Sequence, residues 1–148
     1  MRIKGSTTGS TTSPGSGTIP TLKKGLSAFF SRELQTQSAE IDNYEQEVTD
    51  LHKEIEAAGD KLAEDPTLPN FKQFRDLLSR LAKRISSEAY RLEKFGGTPQ
   101  NPRYYEIITV INSEADRLYE LVVRQQRDNL AITAKVIGIK GLVVDLIT

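Results

Sequence analysis

Apolar residues recur along this chain in an alternation of three and four positions, which is typical of helices that pack in left-handed bundles. A first segment carries them at a spacing of seven, at Leu34, Ile41, Val48, Ile55 and Leu62. A second segment has them at Phe71, Phe74, Leu78, Leu81, Ile85, Leu92 and Phe95, with Glu88 as its one polar member. Both patterns predict amphipathic helices.

A third segment holds the same alternation for more than forty residues. Its positions are Tyr104, Ile108, Ile111, Ala115, Leu118, Val122, Gln125, Asn129, Ile132, Val136, Ile139, Val143 and Leu146. The apolar run KVIGIKGLVVDLIT, residues 135–148, stays in phase with it, which favours a helix over a strand of period two. Gly138 and Gly141 oppose this prediction, since each costs up to ~1 kcal/mol inside a helix.

Two stretches interrupt the helical pattern. In EDPTLP, Pro66 stops one helix and Thr67 can cap the next. In FGGTPQNP, Gly96 suits the left-handed position past a helix end, Asn101 suits an N-cap and Pro102 suits a first helical position. The sequence therefore predicts an all-α, elongated, antiparallel up-down bundle of three long helices.

The predicted lengths do not match. A middle helix over residues 68–95 spans about 42 Å, whereas an unbroken third helix over residues 102–147 spans about 69 Å at ~1.5 Å per residue. Residues 131–147 would then project beyond the middle helix. This overhang is apolar on nearly all sides, so other apolar surface must cover it.

Two arrangements would cover the overhang. The third helix could break around residues 125–129, QQRDN, and fold back as a fourth helix that closes the core of a monomer. Alternatively, it could stay straight and be covered by a second copy in a homodimer, as in a coiled coil. The lack of Gly and Pro in QQRDN favours the straight helix.

Composition restricts the remaining choices. The chain has 20 Lys and Arg against 20 Asp and Glu, and no cysteine, which excludes disulfides and zinc–thiolate sites. Residues 1–22 are rich in Ser, Thr and Gly and lack the apolar core of a signal peptide, so we expect a disordered tail before a single helical domain over residues 23–148. With no apolar stretch long enough to span a bilayer, we expect a cytoplasmic protein without membrane contact.

Candidate chemistry is sparse. His52 is the only histidine, and no metal, cofactor or catalytic pattern accompanies it, so we expect a protein that is not an enzyme. Glu88 on a predicted seam should be exposed at its edge or paired with an Arg of a neighbouring helix, such as Arg117. Residues 40–65 hold ten acids against two lysines, and residues 66–95 hold seven bases against three acids, which favours pairing of the first two helices.

Two stretches resemble the YaaR-like bacterial proteins, a family of unknown function. They are AAGDKLAEDPTLPNFKQFRDLLSRL, which contains the family's Gly-x-x-Leu segment, and IGIKGLVVDLIT. The resemblance runs from about residue 26 to the end and implies a helical bundle without assigned catalytic residues. Gly138 and Gly141 in the second stretch would permit close helix approach, with Lys140 lying along that contact and its amine in solvent.

These observations predict a non-enzymatic interaction or adaptor bundle whose last helical segment binds an unidentified protein or a second copy of the chain. The partner-binding residues we expect are Ile132, Val136, Ile139, Lys140, Val143 and Leu146. The alternative is a regulatory bundle that binds nucleic acid through basic positions of the middle helix, at Arg80, Arg84, Arg91 and Lys94. Nucleic acid is the weaker choice, because the chain is neutral and no aromatic platform accompanies these residues.

Overall fold

Four α-helices make up the regular structure of residues 20–148, which are the residues that this computed structural model describes; their side chains are described at positions 32 and 35 and from 39 onward. The helices are α1 (Pro20–Glu64), α2 (Leu68–Lys94), α3 (Tyr104–Val123) and α4 (Asn129–Ile147). The all-α bundle predicted from the sequence is confirmed. The predicted disordered tail lies, up to residue 19, outside the described residues.

The chain divides into two compact units, Met1–Asn43 and Tyr44–Thr148. In the first unit, the described residues belong to α1, and Ile41 of the predicted apolar seam is exposed there. The second unit contains the rest of α1 with α2, α3 and α4. All contacts described below belong to this second unit.

The core of the second unit consists mainly of the apolar positions that the three-four alternation marks, and Leu77 and Ile107, which lie outside the alternation, are buried with them. Glu88 is buried among them, but Phe95 at the end of the second pattern is 74% exposed. The most deeply buried side chains come from all four helices and are Phe74, Ile55, Leu62, Leu81, Leu118, Ile132, Ile139, Val122, Val136 and Val143. Burial of each such side chain contributes roughly 1.5–3 kcal/mol relative to exposure, so this shared core holds the four helices together.

Most of the predicted helix ends are correct. The Thr67 side chain accepts a hydrogen bond from the backbone N–H of Asn70 and caps α2, and Gly96 has a φ of 78° just past its end. Asn101 was expected to cap the third helix and Pro102 to occupy its first position, and both predictions are wrong, since α3 begins at Tyr104 and has no side-chain cap. The Asn101 amide instead donates to the backbone oxygen of Asp145 at 2.8 Å, near the end of α4.

The preference for a straight third helix is also wrong. α3 ends at Val123, and α4 begins at Asn129 and returns along the bundle. Two side chains stabilise the break: Asp128 accepts from the N–H of Ala131 at 3.1 Å, and Arg127 donates to the Val122 oxygen at 3.1 Å. The chain itself therefore covers the apolar segment in this structure.

Ion pairs on the bundle surface identify which helices are neighbours. One pair joins α1 to α2, a second joins α2 to α3, a third joins α3 to α4, and a fourth returns from α4 to α1. They are Arg84–Glu47 at 2.8 Å, Arg75–Asp116 at 2.6 Å, Lys135–Glu114 at 2.8 Å and Lys140–Asp60 at 2.5 Å. Because each pair involves a partly exposed group, each contributes at most about 1 kcal/mol.

The Asp128 cap supplies a direct test of the break between α3 and α4. Asp128→Ala leaves the first N–H groups of α4 without a side-chain acceptor, so we expect the free energy of unfolding to fall by about 1 kcal/mol in a urea titration. Gln125→Ala, in the same exposed linker, is the matched control and should change it by less than about 0.5 kcal/mol. Equal stability of the two variants would contradict the capping role.

Candidate functional site

The six residues predicted to bind a partner lie on the inner face of α4 and its edge. Ile132, Val136, Ile139 and Val143 are at most 1% exposed, and Leu146 is buried with them in the core. Their surface is covered by the chain's own helices. A partner role for these side chains stays a prediction, and it would require α4 to leave the bundle.

Lys140, the sixth predicted residue, joins α4 to α1. Its ammonium lies 2.5 Å from the Asp60 carboxylate and 3.5 Å from that of Glu56. The aliphatic part of Lys140 crosses α1 at Gly59, where an added Cβ would lie only 2.6 Å from the Lys140 Cε. The amine is thus held by two carboxylates of α1 at the surface, and the prediction that it lies free in solvent is wrong.

Gly59 is the glycine that allows α1 and α4 to approach closely. A Cβ at this position would also lie 3.1 Å from Phe74 Cε1 and 3.1 Å from Val136 Cγ1, closer than nearly all real Cβ contacts. Gly138 and Gly141 were expected to have this role, but no atom lies within 4 Å of a Cβ built on either. The two stretches that carry the family resemblance therefore meet at Gly59 and Lys140.

The opposite side of α4 presents a second apolar stripe, which we call the outer face. It consists of Leu130, Ala134, Ile137, Gly138, Gly141 and Val144, all exposed, and the exposed Asp145 lies on the same side near the end of the helix. Leu130 is 84%, Ile137 62% and Val144 45% exposed, and these three large residues recur every seven positions. The helix is therefore apolar on both sides, with one side in the core and the other in contact with solvent.

Charged side chains border the outer face. On the side of α3, Lys135 donates to Glu114 at 2.8 Å, and Arg117 lies 3.0 Å from the same carboxylate. The hydrogen bond from Lys135 is the main cause of a lowered pKa of Glu114, and the positive charges of Lys135 and Arg117 add to it, against the opposing effect of burial. On the side of α1, Lys140 and Asp60 form the corresponding border.

Of the four basic residues of α2 proposed above as a phosphate-binding alternative, Arg80, Arg84 and Arg91 lie beside carboxylates, and Lys94 lies 5.3 Å from the centre of the Tyr90 ring. Arg84 donates to Glu47 of α1 at 2.8 Å and stacks 5.0 Å from the centre of the Tyr44 ring. A shallow groove of about 470 Å³ between α1 and α2 has three basic and three acidic residues on its walls, namely Arg80, Lys83, Arg84, Glu47, Asp50 and Glu54. A phosphate in this groove would meet negative as well as positive charge.

Glu88 is buried and paired, but its partners belong to its own helix. Arg91 donates to both carboxylate oxygens at 2.9 and 3.1 Å, and Arg84 lies 3.9 Å away. The expected partner Arg117 pairs with Glu114 instead. Burial raises the pKa of the neighbouring Tyr44 hydroxyl, and the charge of Glu88 adds to this while Arg84 opposes it.

The described residues offer little for catalysis by metals. No three His, Cys, Asp or Glu side chains in this part of the chain lie close enough together to hold a metal ion. His52 lies 3.7 Å from Glu56, and its buried Nε2 makes no hydrogen bond within the structure. Among helices of the described residues, none is both long and apolar enough to cross a bilayer.

Comparison with known families agrees with the two motifs. The family described as "Protein of unknown function (DUF327)" matches residues 6–147. The chain belongs to this family. The YaaR-like proteins are the same family, so the resemblance noted in the sequence is confirmed.

Two crystal structures share the fold of this DUF327 chain. They are the uncharacterized protein BH1478 from Bacillus halodurans, at 20% identity and a TM-score of 0.64, and protein TM1646 from Thermotoga maritima, also assigned to DUF327, at 20% identity and a TM-score of 0.65. Each comparison covers 80% of this chain and 97% of the other. At this identity the likeness shows the helical fold alone. Comparison with curated proteins gave no significant match.

The glycines of this DUF327 chain differ in the space available to an added methyl group, and this difference can be tested by measuring stability. Gly59→Ala places a methyl group against Lys140, Phe74 and Val136, and this crowding opposes the ~1 kcal/mol that alanine gains over glycine inside a helix, so we expect no stabilisation and a fall in the free energy of unfolding of up to about 1 kcal/mol. Gly138→Ala and Gly141→Ala are matched controls on the outer face, where no atom obstructs the methyl group. In dilute solution each control should stabilise the protein by roughly 0.4–1 kcal/mol.

Chemical unfolding of the three variants measures these differences. Stabilisation by Gly59→Ala as large as that of the two controls would contradict the close contact between α1 and α4.

Proposed function

We propose that this protein is a non-enzymatic interaction module that binds a protein partner on the outer face of α4. The observation that carries the proposal is an apolar stripe, with Leu130, Ile137 and Val144 at heptad spacing, on a helix whose other side already fills the core. Monomeric proteins expose single apolar residues commonly, but a continuous stripe along one helix is typical of an interface.

The chemistry of the stripe specifies the kind of partner. Within one helical turn of Ile137, the outer face carries only Ala134, Gly138 and Gly141, so its centre has no charged group. Charged residues lie at its borders, including Lys135 and Lys140, which are both engaged in ion pairs. An apolar centre with a polar rim suits an amphipathic helix that lies along α4.

Binding here need not disturb the core of the second unit. The core residues of α4, such as Ile139 and Val143, face away from the outer stripe and remain covered by the bundle. The contact between Lys140 and α1 holds α4 in place at the level of the stripe's centre. We therefore assign partner binding to the outer face and support of α4 to the residues predicted earlier as the partner site.

Nucleic acid is not the function we favour. Arg80, Lys83 and Arg84 share their groove with Glu47, Asp50 and Glu54, and Arg91 is bound to Glu88. These carboxylates would oppose a phosphate backbone. The outer face of α4, with its apolar centre, offers no substitute for a basic surface.

Site-specific photo-cross-linking in cells of the native host tests the proposal. A photoreactive phenylalanine analogue at Ile137 should give a defined adduct with a protein that mass spectrometry identifies. The matched control is the same analogue at Tyr105, which is 72% exposed on α3. Adding Val144→Glu to the Ile137 probe should suppress the adduct, since a charge would then lie within the stripe.

Two results of the cross-linking experiment would contradict the proposal. An absence of adducts at Ile137, or identical adducts at Ile137 and Tyr105, would contradict the assignment of the outer face as a binding site.

A further inference from the structure

We infer that the occupant of the outer face is a second copy of this chain, bound with its α4 antiparallel to the first and centred on Ile137. This inference rests on the proposed function, because it takes the outer face to be a binding site. A twofold axis through the middle of α4 would make the interface isologous, with each copy presenting the same surface.

The order of large and small residues suits such an axis. Rotation about Ile137 places Leu130 of one copy opposite Val144 of the other, and Ile137 opposite itself. The residues between them are small: Ala134 on one side and Gly138 and Gly141 on the other. Near the axis, the Ile137 side chain of each copy can pack into the space beside Ala134 and Gly141 of the other, and Leu130 meets Val144 at either end.

The two exposed glycines acquire a role in this arrangement. A Cβ at Gly138 or Gly141 meets no atom of its own chain within 4 Å, so packing within the chain does not account for either glycine. Each lowers the stability of the helix by roughly 1 kcal/mol relative to alanine. Close approach of a second helix backbone would use the space that their missing side chains leave.

The charged residues at the two ends of α4 favour an antiparallel over a parallel pair of helices. Asp145 is exposed near the end of α4, and Arg124 and Arg127 are exposed in the linker before it. An antiparallel pair brings Asp145 of each copy beside the linker arginines of the other, and the two helix dipoles oppose each other favourably. A parallel pair would place Asp145 against Asp145 and align the dipoles.

The size of the contact indicates its strength. One helix of 19 residues provides most of the surface, and this is small beside the ~800 Å² per partner of a standard stable interface. We therefore expect a dimer that dissociates at micromolar concentrations, in equilibrium with monomer. A concentration series is needed to detect it.

Sedimentation equilibrium of the full chain over such a series tests the inference. The wild-type protein should show a monomer–dimer equilibrium. Ile137→Glu should raise the dissociation constant at least tenfold, since two charges would meet at the centre of the apolar stripe. Tyr105→Glu is the control, and it should leave the dissociation constant unchanged while circular dichroism reports equal helicity for all variants.

Charge reversal tests the orientation. Asp145→Arg and Arg124→Glu should each weaken the homodimer, because each variant brings like charges together across the interface. An equimolar mixture of the two variants should recover association, since both contacts in the heterodimer join opposite charges. An Arg124→Glu variant that dimerises as well as the wild type would overturn the antiparallel arrangement.

The outcomes separate this inference from the proposed function. A wild-type chain that stays monomeric throughout the series, yet gives a specific adduct with another protein at Ile137, would overturn the homodimer and support the binding face. A dimer unaffected by Ile137→Glu would overturn the homodimer on this face. A monomer without any adduct at Ile137 would overturn both.

Discussion

The second unit depends on one constraint: the apolar residues of α4 must be removed from water, and the chain is long enough to do this by itself. Ile132, Val136, Ile139 and Val143 are at most 1% exposed once α4 lies against the bundle. At roughly 1.5–3 kcal/mol per buried side chain, this burial far exceeds what surface ion pairs contribute. Hydrophobic burial therefore holds α4 against the bundle, and the ion pairs of Lys135 and Lys140 lie at its edges.

The contact between Lys140 and Gly59 shows how the return of α4 is made specific. A glycine on α1 opens a path for the lysine stem, and the carboxylates of Asp60 and Glu56 receive its amine. Both stretches of this chain that resemble the family contribute a residue to this contact. The outer face of α4 takes no part in this contact or in the core, and for this reason we propose it as the binding surface.

Much of the fold was predictable from spacing, because burial repeats with the helical period at positions such as Ile55, Phe74 and Leu118. The return of α4 could not be predicted from spacing, because Gln125 and Asn129 continue the three-four alternation through the linker. Asp128, a good N-cap residue three positions before Ala131, was the local signal. The outer face was missed because α4 is apolar on both sides, and periodicity alone cannot rank two apolar stripes.

The most direct test of the central claim is the distance between α1 and α4 in solution. The chain has no cysteine, so Lys61→Cys with Gly141→Cys permits spin labelling at two exposed positions. Labelled protein diluted into unlabelled protein should give a distance below about 20 Å, because α4 of the same molecule packs beside α1. A straight third helix would place the labels more than about 30 Å apart. Loss of the short distance on dilution into unlabelled protein would show that α4 comes from another copy. Either result would contradict the account.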